Sequence, residues 1–440
     1  MTPEVLAALM FLGVFAGIFL GFPIAFTLAG VSIIVGYIGL GNIVFPMAGY
    51  QINTVLGEFA YIAVPLFVFM GCMLERSGVA DAAFGALSQW LGKVRGGLGI
   101  ATVILCMVFA ACVGILGASV ATIGLLALKP MIERGYDKGL ATGVVAAGGS
   151  LGVLLPPSIV LILFGQAAKV TVTKLFIAAI IPGLLLGLFY AVYVGLIGYF
   201  KEGAVPKIDE TGETRRKYSL RQGISAFLPF AILISMVVGV IFFGIAAPTE
   251  VAAFGALGSV VIAAGHKKCS IRVFREAAIS ALAVSSMVIF IAIGASVFTS
   301  VFFRIDGASV LRKAIEGVGL GPSGVFALFL ISVFVLGIFI DWLGVTMILI
   351  PIFMPMLAEF GFDPLIVSIT VLVLLQTSFL TPPFAQAILY VMGVAPPEVH
   401  IGEAYRGALP FIFIQIAVVL ICIFFPSAVT FLPDLMFKPW

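Results

Sequence analysis

Five residues recur in this chain at one constant separation. Glu133, Gly135, Asp137, Pro156 and Pro157 reappear as Glu359, Gly361, Asp363, Pro382 and Pro383, each pair 226 residues apart. Around them, the stretches 117–165 and 341–393 break their apolar runs with Gly, Pro, Ser and Thr, where an uninterrupted spanning helix would carry Leu and Val. Unrelated apolar segments do not hold register through five positions, so the chain reads as a duplicated unit. Matched interruptions in two halves of a hydrophobic chain point to the binding site of a secondary transporter.

The rest of the chain fixes the solvent. Hydrophobic residues make up 62% of the 440 and charged residues only 10%, with a mean hydropathy of +1.27. Soluble domains hold roughly 45–50% apolar and ~25% charged residues, so this is an integral membrane protein. Its apolar runs are continuous over about 20 residues and do not alternate, which selects helices over a barrel. The fold class is all-α, with about 11–12 transmembrane helices and two re-entrant helical hairpins in an inverted repeat.

Apolar segments at 4–20, 22–40, 59–74, 98–116, 139–154, 175–199, 224–244, 249–265, 277–301, 324–340, 365–379 and 409–432 read as spans. Between them lie 118–130, 157–168, 342–356 and 384–395, too short to cross alone and set beside Gly, Pro or Ser/Thr clusters. They read as re-entrant or half-helical pieces, since irregular backbone is tolerated at depth only inside protein. The domain plan is scaffold helices over 1–97, a first repeat core over 98–199 and a linker at 200–222. Scaffold helices and an interfacial segment follow over 223–323, then a second repeat core over 324–395 and a C-terminal helix over 396–440.

The linker carries Lys201, Lys207, Arg215, Arg216, Lys217 and Arg221, and two spans later comes a second basic loop with His266, Lys267, Lys268, Arg272 and Arg275. Both loops are expected on the cytoplasmic face. The stretch 304–323 is mixed in charge and suits the membrane interface. Thr249 is placed to cap a helix with Glu250 in its first turn, and Lys129 to snorkel from its apolar surroundings. The N-terminal apolar stretch has no preceding Lys or Arg and reads as a retained helix.

A net charge of +3 with no basic–aromatic run gives no nucleic-acid partner. Five scattered cysteines lack CxxC spacing and read as small hydrophobes. No HExxH or nucleophile elbow is present, and His266 and His400 fall in loops, so enzyme chemistry finds no support. What the breaks do offer is oxygen. Ser119 and Thr122 lie three apart in GASVAT, and Ser150 and Gly152 precede Pro156 and Pro157. The second half supplies Asp341, Gly344, Thr346, Gln376, Thr377, Ser378 and Thr381 before Pro382 and Pro383. Hydroxyls and freed carbonyls are hard donors suited to Na⁺. Asp341 is the one ionisable group in an apolar run from Val325 to Leu357; it reads as a functional carboxylate or as the cap of a half-helix. With few cations in either core, an anionic substrate would be met by helix N-termini near Ser119, Ser158, Thr346 and Phe384.

The chain resembles the large membrane subunit, M or DctM-like, of tripartite ATP-independent periplasmic (TRAP) transporters. The residues that carry the likeness are PLFVFMGCMLERSG (65–78), GASVATIG, LPPSIVLILFG, PTEVAAFG (248–255), DWLGVTMILIPIFMP and the TPPF motif, and they span essentially the whole chain. The resemblance implies a bacterial inner-membrane subunit, Na⁺ as the coupling ion with no other cofactor, and an elevator mechanism. It implies as partners a small four-helix membrane subunit, of which no fused copy is seen, and a periplasmic substrate-binding protein delivering an organic acid. By position it places one Na⁺ site near Ser119, Thr122, Gly152 and Pro156, and the other near Thr346, Thr377, Thr381 and Pro382. The substrate side of the same breaks falls at Ser150, Pro157, Ser158, Ser378 and Pro383, with Asp341 in coupling or capping. Ala118 stands where many members have a second Ser. QTSFLTPPFAQAILY replaces the more Gly-rich approach of many dicarboxylate members and resembles a branch labelled for mannitol, chloroaromatic or 2-oxo-acid substrates. The rival readings are a stand-alone exchanger and, more remotely, a membrane enzyme.

Overall fold

The computed structural model describes residues 1–437 apart from 93, 115, 202, 206–219 and 318, so most of the basic linker lies outside the described residues. Every regular element among the described residues is helical. The chain runs through α1 (Pro3–Phe19), α2 (Ile24–Leu40), α3 (Val44–Gly57), α4 (Ala63–Arg76), α5 (Val79–Leu91) and α6 (Gly97–Val113). Next, α7 (Leu116–Ile123) continues through a π-helical turn into α8 (Lys129–Glu133), and α9 (Lys138–Ser150), α10 (Ile159–Ala168) and α11 (Val172–Phe200) follow. The middle is α12 (Leu220–Phe242), α13 (Pro248–Gly265), α14 (Ile271–Arg304) and α15 (Gly307–Gly317). The second repeat is α16 (Pro322–Phe339), α17 (Trp342–Glu359), α18 (Pro364–Ser378), α19 (Gln386–Val394) and α20 (Ile401–Phe424), with α21 (Ser427–Phe437) closing the chain.

Local chemistry sets the repeat boundaries. Asp137 and Asp363 each cap the helix that follows, accepting from Leu140 N–H at 2.8 Å and Leu365 N–H at 2.7 Å. Such caps satisfy one of the orphan donors at a helix start. Just before each, Gly135 (φ 81°) and Gly361 (φ 84°) turn the chain in the left-handed region that glycine enters freely. The preceding turn at the same 226-residue register is therefore the same object twice.

Packing then defines a hairpin in each repeat. Gly99, near the start of α6, lies against Met131 and Tyr136, so α6 and α7–α8 begin and end at one face. Their tip at Gly114 reaches Ile159, the first residue of α10. In the second repeat, the rings of Phe326 and Phe362 stack at 4.8 Å where α16 begins and α17 ends. There the tip reaches the start of α19, and Phe384 N–H donates to Ile338 O at 3.3 Å.

The two repeats enter from opposite faces. Asp137 N–H donates to Ala204 O beyond the C-terminal end of α11, while Asp363 lines a cleft with Lys169, Val170, Thr171 and Lys174 around its N-terminal end. With 29 residues, α11 separates those ends by about 43 Å at 1.5 Å per residue. This is inverted topology, reached through packing alone.

Around the cores, α14 packs on α2, α3 and α4, and α4 on α13. Large apolar side chains such as Leu188, Phe254, Leu282 and Phe413 stand exposed. Only a hydrocarbon solvent accommodates so much of it.

Several segment expectations change. Among the described residues, nine helices are long and apolar enough to span. The stretches expected as short pieces at 118–130 and 342–356 belong to 18-residue helices, Leu116–Glu133 and Trp342–Glu359, the second arms of the hairpins. Conversely, 139–154 and 365–379 are not full spans. They are the first halves of broken helices. Three helices were not anticipated: α3 and α5, because Gln51, Asn53 and Thr54 in one and the Ala, Gly, Ser and Gln content of the other dilute their hydropathy, and α21, because the single C-terminal helix expected over 396–440 divides at Phe425 and Pro426 into α20 and α21. The segment at 304–323 contains α15, whose Arg312 pairs with Glu359 at 3.3 Å. Thr249 is not the cap of α13. That position is Ala247, whose N–H donates to Glu250 at 2.9 Å.

Candidate functional site

Each break replaces a helical turn with side-chain chemistry. In the first, α9 ends at Ser150, a short 3-10 turn covers Leu151–Val153, and the Ser158 hydroxyl donates back to Val153 O at 2.6 Å. In the second, α18 ends at Ser378, Thr381 Oγ1 donates to Thr377 O at 2.7 Å, and Ala387 N–H to Phe379 O at 3.0 Å. The Pro156–Pro157 and Pro382–Pro383 bonds are both cis. Ala385 enters the left-handed region (φ 35°) just before α19, a conformation strained for a residue with a Cβ.

The hydroxyls singled out from the sequence divide by what they bond. Thr377 Oγ1 donates to Leu374 O at 2.6 Å, and Ser150 Oγ lies 2.8 Å from Ala147 O and 3.3 Å from Gln376 Oε1. Thr122 Oγ1 donates to Glu75 at 3.2 Å, outside the break and on α4. Ser119, Thr346 and Ser378 are fully or almost fully buried, and their hydroxyls have no hydrogen-bond partner within the protein. Native structures rarely leave such groups unmet, and an ion or water is the usual resolution. Ser119 on α7, Thr346 on α17 and Ser378 at the end of α18 are each a hard oxygen of the kind an alkali cation takes.

Glycines let the pieces approach. A Cβ on Gly149 would lie 3.1 Å from Val120 Cα, so the end of α9 touches α7 one residue past Ser119. The Ser378 hydroxyl fills the space that a Cβ on Gly337 would take. On Gly117, a Cβ would meet the Tyr390 ring at 2.9 Å, so the tip of the first hairpin carries the half-helix of the second repeat. The reciprocal contact sets α10 against α17. Both hairpins and both broken helices thereby form one interlocked body.

At the second tip, Asp341 caps α17 through Leu343 N–H at 3.2 Å, and Gln386 Nε2 donates to its other oxygen at 2.9 Å. Of the two readings open for Asp341, capping is thus present in the structure. Between the two tips and the scaffold helices α2 and α14 lies a cavity of about 560 Å³. Gly114, Leu116 and Gly117 line it from one tip, Asp341, Trp342 and Leu343 from the other, with Ile159, Gln386 and Tyr390 from the half-helices. Phe22, Phe26, Val284, Met287 and Phe290 close it from the scaffold. Ser150, Pro157, Ser158, Ser378 and Pro383 do not lie on its wall.

Residues 11–428 match the family described as the tripartite ATP-independent periplasmic transporter, DctM component. The chain belongs to that family. It is 29% identical over 382 residues to the C4-dicarboxylate TRAP transporter large permease protein DctM of Pseudomonas aeruginosa, covering 86% of this chain and 87% of that one. It is 30% identical over 411 residues to the isethionate TRAP transporter permease protein DctMQ of Oleidesulfovibrio alaskensis, covering 92% of this chain and 63% of that one. The fold is shared with the YdaH transporter of Alcanivorax borkumensis at a TM-score of 0.63 over 100% of both chains, with 15% identity. As a DctM component, the chain is an inner-membrane large permease, one part of a three-part transporter.

Two residues of this DctM component escaped the sequence reading, and a third was named without its partner. Gln386 gave no signal apart from its place four residues after Pro382, Glu75 was given no role, and Gln376 was counted among the oxygens of the second break without its bond to Ser150. Each acquires meaning only from a residue far away in the chain.

Proposed function

We propose that this chain is the large permease of a Na⁺-coupled TRAP transporter that imports a small organic acid of the C4-dicarboxylate or 2-oxo- or monocarboxylate type. A periplasmic substrate-binding protein delivers the acid, a small four-helix membrane subunit completes the membrane part, and transport runs by an elevator motion. The observation that carries the Na⁺ reading is the set of unmet buried hydroxyls, Ser119, Thr346 and Ser378, at the two helix breaks. The relatives named for C4-dicarboxylate and isethionate move small anions, which supports the substrate class.

In this reading the cavity between the tips receives the acid, and the N-terminal ends of α7, α10 and α19 border it with the positive ends of their helix dipoles. Two Na⁺ ions held at the breaks supply the positive charge that side chains do not, since among the described residues Asp341 is the one charged residue on the wall. The interlocked body moves with substrate and ions against α2 and α14, whose wall of the cavity is apolar and offers nothing to hold them back. Access alternates because the site stays inside the moving part.

The test is uptake into proteoliposomes containing the permease and its small subunit, with the binding protein added outside. Accumulation that requires both an inward Na⁺ gradient and the binding protein is expected. Uptake indifferent to Na⁺, or undiminished without the binding protein, overturns the reading in favour of a stand-alone carrier.

A further inference from the structure

The two broken helices touch at one polar contact, and it joins equivalent positions. Ser150 ends α9, and Gln376 lies 226 residues on, near the end of α18; their side-chain oxygens are 3.3 Å apart, and both residues are completely buried. A contact between residues i and i + 226 sits on the pseudo-two-fold axis of the repeat.

The chemistry of that contact follows from counting hydrogens. A serine hydroxyl has one to give, and Ala147 O at 2.8 Å is the closer acceptor. With that hydrogen committed, two acceptor oxygens would face each other while Gln376 Nε2 has no partner. Turning the amide over gives the contact its hydrogen: Nε2–H donates to Ser150 Oγ, and Ser150 Oγ–H donates to Ala147 O, with Gln376 Oε1 taking the position that Nε2 leaves. The result is a directed chain from one helix end to the other, sealed from water.

We infer that the Ser150–Gln376 bond is a cross-repeat brace that makes Na⁺ binding at one break promote Na⁺ binding at the other. This rests on the Na⁺ reading given above. Gly152 follows Ser150 by two residues, and Thr377, Ser378 and Thr381 follow Gln376, so each end of the brace sits in the turn that carries one site's oxygens. A cation that draws in the oxygens of one break shifts the last turn of its helix. With no water to replace the bond, the partner turn follows or leaves a buried polar group unmet. The first ion thereby orders the second site. No charged group is needed, and the contact touches neither the cavity wall nor the scaffold.

Equilibrium binding of radiolabelled Na⁺ to the purified full-length chain in lipid nanodiscs, with choline holding ionic strength constant, reads this directly. The unaltered protein is expected to bind Na⁺ with a Hill coefficient above 1, approaching the number of coupled sites. Ser150→Ala and Gln376→Leu are each expected to bind the same number of ions with a Hill coefficient of 1 and a half-saturation about 2-fold higher or more, the square root of the ~5-fold lower range of coupling between two sites. Melting temperature and monodispersity establish that each variant is folded. Where Gln376→Leu does not fold, Ser150→Ala decides, since it removes one oxygen and leaves the volume of Gln376 in place. A Hill coefficient that stays above 1 in the folded variants, or one that equals 1 in the unaltered protein, overturns the brace. Absence of any Na⁺ binding in the unaltered protein overturns the Na⁺ reading itself, and the brace falls with it.

Discussion

The two hairpin tips occupy the same place in their repeats and are held in different ways. The first turns through Gly114 (φ 63°) and presents no ionisable side chain at its described residues. The second turns at Asp341, which holds the start of α17 with one oxygen and Gln386 of the neighbouring half-helix with the other. One tip is seated by packing, with Tyr390 against Gly117. The other is tied by two directed bonds to a half-buried carboxylate. Duplication set the architecture of both, and the later divergence lies in who satisfies the backbone. A mobile tip tolerates loose seating, whereas a carboxylate at depth has to be held from both sides or not be there at all.

The largest expected effect comes from removing that tie. In Asp341→Ala, α17 loses its cap, about 0.5–2 kcal/mol, and the half-buried Gln386 Nε2 loses its acceptor, about 0.5–1.5 kcal/mol. If the tip must be in place for the site to form, uptake falls by about tenfold or more, at ~1.4 kcal/mol per decade. Asp341→Asn keeps its one oxygen for Leu343 N–H and can donate its amide N–H to Gln386 Oε1 once the Gln386 amide turns over, so both ties survive without the charge and much more activity is expected to remain. Equal loss in both would show that the charge, rather than the tether, is what matters, and the two tips would then differ in electrostatics rather than in seating.

Next in size is the contrast between met and unmet hydroxyls. Ser119→Ala removes an oxygen with no partner in the protein, so the melting temperature holds or rises while the apparent Na⁺ affinity falls by about tenfold, one lost ligand being worth ~1–2 kcal/mol. Thr381→Ala removes both an oxygen and the bond that closes the second break, so affinity and melting temperature fall together. Na⁺-dependent uptake and thermal melts separate these outcomes. If Ser119→Ala leaves the Na⁺ dependence untouched, the first break holds a water or nothing, and the two sites are not alike.

How much of this was legible in the sequence follows from how local each cause is. The repeat, the membrane class and the breaks were readable because Pro-Pro pairs, the glycine turns and the capping aspartates act on their own neighbours. The hairpins were half readable. Apolar content told of depth but not of direction, so 139–154 looked like a span although its helix ends at Ser150, and α3 was hidden by the polar residues on its exposed face. The bonds that tie the site together, Asp341 to Gln386 and Ser150 to Gln376, join positions 45 and 226 residues apart. Nothing in a single sequence says that such residues meet.

Topology offers a third test, with a qualitative outcome. Asp137 and Asp363 are both exposed and lie at opposite ends of α11. Single cysteines at these positions, in a background without the native thiols, are expected to react with a membrane-impermeant reagent from opposite sides, with Asp137→Cys labelled from the cytoplasmic side. Labelling of both from one side would undo the inverted relation on which every comparison of the two repeats depends.

The smallest effect is expected at Thr122, which sits on the first hairpin, as Ser119 does, but bonds away from the break. Its hydroxyl donates to Glu75 of α4, whose neighbour Arg76 approaches Glu276 of α14 at 3.9 Å. This bond therefore leaves the interlocked body for the helices around it. Half-exposed groups of this kind contribute on the order of 0.5–1.5 kcal/mol, too little to hold the fold but enough to bias two positions of a moving body by several-fold. Thr122→Val is accordingly expected to shift the Na⁺ half-saturation by less than about twofold, while Glu75→Gln, which keeps an acceptor oxygen, stays close to the unaltered protein in both affinity and maximal rate. The check is a Na⁺ titration of uptake in the two variants side by side. A shift in Thr122→Val as large as that of Ser119→Ala would return Thr122 to the ion site and make its bond to Glu75 a feature of one position of the body alone.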